Sequence, residues 1–275
     1  MNKDKLWLKV LIYFILFIVL LWTIIPILLM VLTSFKKEMD IFTTSFVFVF
    51  KPTAINYIKA FKTGEFSRYF LNSMIVSLCS ASLSVFFGVF AAYGIVSFNL
   101  RYARIVSKVF LLGKLVPSIT ILIPFFIILT KLGLIGTYAG PILAHVALNL
   151  PFVVWLLMGF IKDIPKEIES AALIDGASRM KSFWLITFPL LRPALASSIV
   201  LSMQLSWNEL LFSMQLTNLN TYTLPVGISR FVGSISVDWG KSSAAATVCM
   251  IPMIIAGFYI QDYIVKGMTM GAVKG

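Results

Sequence analysis

The chain has 275 residues, 59% of them hydrophobic and only 12% charged, and the charges gather between long apolar stretches. Soluble globular domains do not show that pattern, so the class is a polytopic helical membrane protein. The formal net charge of +12 does not point to nucleic acid, because no Lys/Arg run with interleaved aromatics exists and membrane proteins hold excess Lys and Arg in their cytoplasmic segments.

A bilayer core of about 30 Å takes roughly 20 apolar residues as a helix. Six segments qualify in chain order: 8–33, 71–98, 106–130, 139–161, 190–216 and 243–265. The first follows Lys3, Lys5 and Lys9. Its apolar run is too long for a signal peptide and no small-residue cleavage site follows, so it reads as a retained helix. With the N-terminus inside, the cytoplasmic segments collect those lysines, then Arg101, Arg104 and Lys108, then Lys162, Lys166, Arg179, Lys181 and Arg192, and finally Lys266 and Lys274. The opposite side holds fewer, which predicts that both termini are cytoplasmic.

The first external loop, residues 34–70, carries Phe46, Phe48, Phe50, Tyr57 and Phe61 and is expected to pack as ordered structure on the outer surface. Cys79 and Cys249 lie within apolar runs, where a thiol acts as a small hydrophobe, so neither a disulfide nor a metal site is expected. Lys114 falls about two turns into the third span. It either snorkels to the cytoplasmic interface or marks a functional charge, since ions in hydrocarbon are costly. His145, the only histidine, is read as a helix-to-helix hydrogen bond, with a proton relay as the alternative.

Between the fourth and fifth spans lies a polar island, Ile164-Pro165-Lys166-Glu167-Ile168-Glu169-Ser170-Ala171-Ala172-Leu173-Ile174-Asp175-Gly176-Ala177, followed by Phe183, Ile186 and Pro189. Pro165 suits a first helical turn with Asp163 as a cap, Ile168, Ala171 and Ala172 share one face, and Gly176 ends the helix in a left-handed conformation. The prediction is a short helix, a turn and a second helix over 163–189. Taken as residues alone, that segment is either a docking surface or an ordinary amphipathic surface loop.

In the fifth span Glu209 follows Trp207 and Asn208, with Gln204, Ser206 and Gln215 nearby. A carboxylate there either faces a water-filled substrate route or joins helices through hydrogen bonds. The external segment 217–241, with Tyr222-Thr223-Leu224-Pro225 and Asp238-Trp239-Gly240, is either a turn-rich connector or a contact surface for a partner. Gly240-Lys241-Ser242 resembles the end of a phosphate loop, but the glycine required five residues earlier is Ile235. Neither metal-ligand spacing nor a paired set of acids for catalysis is present, so the chain reads as a non-enzyme without an ATP site of its own. With no low-complexity linker or internal repeat, residues 1–275 form a single membrane domain.

The polar island resembles the EAA signature of binding-protein-dependent ABC importer permeases, and the whole chain is similar to the shorter permease subunit of the maltose or multiple-sugar type. The likeness runs through Asn56-Tyr57, Phe66-Ser67-Arg68-Tyr69-Phe70-Leu71-Asn72-Ser73, Ala91-Ala92-Tyr93, Leu132-Gly133-Leu134, Thr137-Tyr138, Leu150-Pro151-Phe152, Trp207-Asn208-Glu209, Tyr222-Thr223-Leu224-Pro225 and Gly271-Ala272-Val273-Lys274-Gly275. The resemblance implies an all-α, six-helix type I importer fold in a bacterial or archaeal plasma membrane. It also implies a second homologous permease, two cytoplasmic subunits that bind ATP and Mg, and an extracytoplasmic sugar-binding protein.

Within it, residues 163–189 would be the cytoplasmic coupling loop. Glu169, Ser170, Ala171, Ala172, Asp175, Gly176 and Ala177 would dock on an ATPase, and Trp207, Asn208 and Glu209 would lie near the substrate path. One position departs from the family. The signature glutamate before the Ala-Ala pair is Ser170 here, and Glu169 sits about 100° away around a helix. Either Glu169 takes over the acid's contact or the partner does without it. The expected function is translocation of a mono- or oligosaccharide driven by ATP. The alternative is an ion-coupled secondary transporter, against which the absence of paired broken helices in a repeat counts.

Overall fold

The computed structural model describes the backbone of residues 3–43, 48–62, 65–98, 102–231 and 237–270. Among them the chain is helical: α1 (Lys3–Ser34), α2 (Glu38–Ile41), α3 (Ile55–Lys62), α4 (Glu65–Ser97), α5 (Ala103–Gly113), α6 (Ser118–Lys131), α7 (Ala139–Asp163), α8 (Lys166–Ile174), α9 (Arg179–Ser182), a π-helical turn (Phe183–Thr187), α10 (Phe188–Trp207), α11 (Leu211–Leu216), α12 (Leu224–Ser229) and α13 (Trp239–Met270). Calls on Arg101, Ile235 and Gly271-Ala272-Val273-Lys274-Gly275 lie outside the described residues, as do those on Phe46 and the side chains of Lys3, Lys5, Arg104 and Lys266.

Among the described residues five helices are long and apolar enough to cross a bilayer: Trp7–Ser34, Glu65–Ser97, Ala139–Asp163, Arg179–Trp207 and Trp239–Gln261. The expected third span, 106–130, is not one helix. It breaks between Gly113 and Ser118, leaving α6 with 14 residues, about 21 Å at 1.5 Å per residue. Pro117 causes the break: with φ −58° and ψ 130° it begins a new helix and cannot donate to the turn before it. The expected fifth span, 190–216, is shifted. Its helix starts at Arg179, runs through the π-helical turn and ends at Trp207, so that Asn208, Glu209 and Leu210 lie outside regular helix.

The chain divides into two compact units. The first comprises Met1–Ser67 and Ile228–Ile251. Here the expected order of the first external loop is carried by Asn56, whose Nδ2 donates to the carbonyls of Ser34 (2.9 Å) and Lys36 (2.8 Å). Tyr57 Oη bonds Ser34 Oγ at 2.8 Å. A Cβ on Gly240 would meet Asn56 Oδ1 at 2.5 Å, so the glycine is needed for this approach. Gly240, Lys241 and Ser242 form the first turn of α13, and Asp238 caps it by accepting from the Lys241 N–H at 3.0 Å.

The second unit comprises Arg68–Gly227 and Pro252–Gly275. Its core joins Val85, Val89 and Ala92 of α4, Val153, Val154 and Leu157 of α7, Phe183, and Leu191 of α10. Small residues let membrane helices approach closely. A Cβ on Gly88 would lie 2.6 Å from Val153 Cγ1. A second apolar cluster, Leu122, Leu129, Ala144, Phe212 and Leu216, ties α6 and α11 to α7. Where α4 begins, Asn72 Nδ2 donates to the carbonyls of Asn220 and Tyr222, both at 2.9 Å, and Asn72 Oδ1 accepts from Tyr138 Oη at 2.7 Å. Ser73 Oγ accepts from the Leu224 N–H at 2.7 Å. The 218–224 turn is thus held by side chains, as buried backbone polar groups require.

Candidate functional site

Two polar constellations stand out in the second unit. The first is the segment after α7. Asp163 is the last residue of α7 and does not cap the next helix; Pro165 occupies the N-cap position of α8 with φ −58° and ψ 125°. Helix α8 closes with the Gly176 N–H on the Leu173 carbonyl (3.2 Å) and the Ala177 N–H on the Ala172 carbonyl (3.0 Å). Gly176 has φ +86°, the left-handed residue that this helix ending uses. Ser178 Oγ then caps α9 by accepting from the Lys181 N–H at 3.2 Å. The short helix, turn and second helix expected over 163–189 are therefore present.

Solvent faces one side of this segment. Lys166, Glu167, Ser170, Ala171, Asp175 and Gly176 are exposed, while Ala172 and Ala177 are half-buried. Two isoleucines are exposed as well, Ile168 at 42% and Ile174 at 85%. Glu169 turns the other way. Its Oε1 accepts from Tyr93 Oη at 2.6 Å and lies 3.7 Å from Arg179 Nη1. Arg179 Nη1 also donates to the Ser97 carbonyl at 3.0 Å, and Tyr93 Oη approaches the Arg179 carbonyl at 3.3 Å. Phe183 lies against the Tyr93 ring at a centroid distance of 4.8 Å. Glu169 thus ties α8 and α9 to the end of α4. Sequence reasoning named Tyr93 only within the Ala91-Ala92-Tyr93 likeness and gave it no role; a hydroxyl-bearing aromatic at the end of a span was the available signal. A cleft of about 220 Å³ opens beside the tie, lined by Val96, Pro165, Glu169, Ser170 and Arg179 among others.

The second constellation joins α4, α7, α10 and α11. Ser80 Oγ donates to Ser206 Oγ at 2.9 Å, Ser206 Oγ meets His145 Nδ1 at 2.6 Å, and His145 Nε2 meets Glu209 Oε2 at 3.1 Å. The proton arrangement that satisfies all of them has Ser206 donating to Nδ1 and Nε2–H donating to the carboxylate. Glu209 also accepts from the Phe212 N–H (2.8 Å), the Ser213 N–H (2.9 Å) and Ser213 Oγ (3.2 Å). It lies just ahead of α11, and the chain leaves regular helix there so that the carboxylate can meet the first N–H groups of that helix. His145 makes the helix-to-helix bonds expected of it.

Trp207 packs against α4. It is 1% exposed and meets Phe70 edge-on at 5.6 Å. Asn208 is exposed and donates to the Gln204 carbonyl at 2.9 Å. Of the three residues expected near the substrate path, Glu209 borders a cavity of about 160 Å³ that Lys114, Ser118, His145, Leu148, Asn149, Leu205 and Ser206 also line.

Helices long and apolar enough to span, with a buried polar cluster joining α4, α7 and α10, make this a polytopic helical membrane protein. Residues 84–270 match the family described as binding-protein-dependent transport system inner membrane component, and the chain belongs to it. It is a multi-pass inner-membrane permease subunit of a binding-protein-dependent ABC importer. In this family ATP binding falls to partner ATPase subunits rather than to the permease.

Similar proteins include the trehalose/maltose transport system permease protein MalG of Thermococcus litoralis, 33% identical over 255 residues covering 91% of each chain. Another is the sulfoquinovosyl glycerol transport system permease protein SmoH of Agrobacterium fabrum, 31% identical over 252 residues, 91% of this chain and 88% of the relative. The fold is that of a bacterial ABC transporter for import of the acidic polysaccharide alginate, with a TM-score of 0.79 at 20% identity over 96% of this chain and 98% of the other. An alginate transporter solved with its alginate pentasaccharide-bound periplasmic protein gives a TM-score of 0.68 at 16% identity, covering 94% of this chain and 93% of that one.

Proposed function

We propose that this permease imports carbohydrates. It pairs with a second homologous permease and two cytoplasmic subunits that bind ATP and Mg, and an extracytoplasmic sugar-binding protein delivers the substrate. Both termini are cytoplasmic, residues 1–275 act as one permease domain, and residues 163–189 are its coupling loop. The observation that carries the reading is the exposed apolar face of α8, with Ile168, Ala171 and Ile174 in solvent on a segment tied firmly to the spans behind it. The names of the relatives that carry trehalose, maltose or sulfoquinovosyl glycerol support the sugar class.

Closure of the ATPases on ATP moves α8. Because Glu169 and Phe183 join that segment to Tyr93 of α4, the displacement reaches a span. ATP drives the change to the extent that it binds the closed ATPase pair better than the open one. In this reading Ser170 to Ala177 supply the docking surface and Glu169 holds it in place. Purification of the tagged chain from its native membrane, with mass spectrometry of what accompanies it, is the test. Recovery of a second permease and an ATPase, with sugar uptake that requires ATP after reconstitution, is expected. Uptake that survives without ATP and collapses with an ion gradient would overturn it.

A further inference from the structure

Two helix breaks border the 160 Å³ cavity, and both reach the same short stretch of α7. Lys114 lies in the break between α5 and α6, and its Nζ donates to the Leu148 carbonyl at 3.2 Å. Pro151 lies inside α7 three residues further on, where its missing N–H leaves a carbonyl of the preceding turn without its usual partner. Glu209, in the break between α10 and α11, bonds His145. Helix α7 has 25 residues; Leu148 is about 14 Å from its Ala139 end and about 23 Å from the other at 1.5 Å per residue. The breaks therefore meet near the bilayer midplane. Irregular backbone at that depth occurs where it is buried in protein or lines a water-filled cavity, and in transporters such breaks mark the substrate site.

Of the two readings of Lys114, snorkelling and a functional charge, its place in a helix break with its ammonium on the Leu148 carbonyl favours the second. Its ammonium is held at mid-depth, beside the Phe152 ring at 6.0 Å. Among the described residues the ion pairs are His145–Glu209, Arg179–Glu169 and Lys241–Asp238, and Lys114 is in none of them. The acid that shares the cavity, Glu209, is already occupied by His145, Ser213 and two backbone N–H groups. An ammonium has three donors, and the Leu148 carbonyl takes one.

We propose that Lys114 anchors a substrate subsite for carbohydrates that carry an oxyanion: a carboxylate, sulfonate or phosphate. The inference rests on the sugar-importer reading above and deepens it. Lys114 is exposed at the mouth of the cavity, so its remaining donors are accessible to a ligand, and a charge-assisted bond to an oxyanion is roughly twice as strong as a bond to the hydroxyl of a neutral sugar. Ser118, on the same cavity wall, supplies a hydroxyl for the sugar ring, while the amide of Asn149 is buried and donates to the Ser202 carbonyl at 3.2 Å. The volume is that of about five waters, enough for the acidic group and part of one ring. The subsite is therefore one end of a longer path, and Lys114 acts as a specificity-determining residue.

The complete importer, with its binding protein and ATPases, is reconstituted in liposomes and assayed with matched labelled pairs: maltose and maltose 6′-phosphate, cellobiose and its uronate. Wild type is expected to carry an acidic member under ATP. Lys114→Gln should lower that uptake at least about tenfold, the effect of losing one charge-assisted contact, and Lys114→Arg should restore most of it, which a packing defect at this site would not allow. Uptake of the acidic sugar by Lys114→Gln at the wild-type rate would overturn the assignment. Transport of neutral members alone by wild type would overturn it too, and would leave the sugar-importer reading standing. If none of the four is carried with ATP, the Lys114 assignment falls, and the importer reading stands or falls on the copurification test above.

Discussion

Tyr93→Phe isolates the tie between the coupling loop and the membrane helix. The change deletes one hydroxyl and leaves the ring that packs on Phe183. What is lost is a 2.6 Å bond to the Glu169 carboxylate and a weaker 3.3 Å approach to the Arg179 carbonyl. Bonds to charged groups contribute about 1.5–3 kcal/mol. The Glu169 side chain is 19% exposed and keeps Arg179 at 3.7 Å, so water and the guanidinium recover part of the loss. The net cost is then about 1–2 kcal/mol, which raises the population of the locally opened loop roughly 5- to 30-fold. Hydrogen exchange read by mass spectrometry on peptides covering 164–177 measures this directly and needs no substrate. Those peptides should exchange faster by that factor, while peptides covering the 218–224 turn keep their wild-type rates. Glu169→Gln should give a similar change, and the double variant should show less than the sum, because both changes act on one bond. Unchanged exchange in Tyr93→Phe would refute the tie.

Three further outcomes follow from the same geometry. Ala171→Arg places a long cation on the exposed face of α8 without touching Glu169; it should abolish recovery of the ATPase during purification while exchange in α4 stays unchanged. Gly88→Val overpacks the contact with Val153, where a Cβ would already sit at 2.6 Å, and should cost about 1–3 kcal/mol, read as a lower unfolding temperature of the detergent-purified chain. Asp238→Ala removes the cap of α13 and should cost about 1 kcal/mol, seen as faster exchange over 238–245. Burial pushes the Asp238 carboxyl up, but the N–H and ammonium of Lys241, with Lys59 adding to them, hold it below the usual carboxylate range on balance. The cap's contribution is therefore full above about pH 4, the ordinary Asp value. It is lost only as pH falls through the lowered value.

The spans were legible because continuous apolar runs of sufficient length have few other uses. The breaks were not. Gly113, Lys114 and Pro117 mark the first break, but they sit inside an apolar run long enough to span, and Asn208, which marks the end of α10, likewise sits inside such a run. The coupling loop was legible down to Gly176, because its ending depends on local backbone geometry. The direction of Glu169 was not, since which face of α8 turns inward is set by Tyr93, 76 residues away. Asn72, Ser73, Tyr138 and Tyr222 carried the family likeness as separate short motifs; the fold shows them as parts of one hydrogen-bonded turn. Lys114 was visible as a charge in an apolar run, but its depth follows from Leu148 and could not be read along the chain.

Helix α1 buries none of its most apolar stretch within the chain; Trp22 is 81% exposed and Tyr13 70%. A flank of that kind has consequences for biosynthesis. Made alone, the subunit presents a full-length greasy helix that only lipid, detergent or another polypeptide can cover, and such surfaces promote clumping once the bilayer is removed. Production from one messenger RNA together with its companions, at matched stoichiometry, is the route by which this chain should be obtained in monodisperse form.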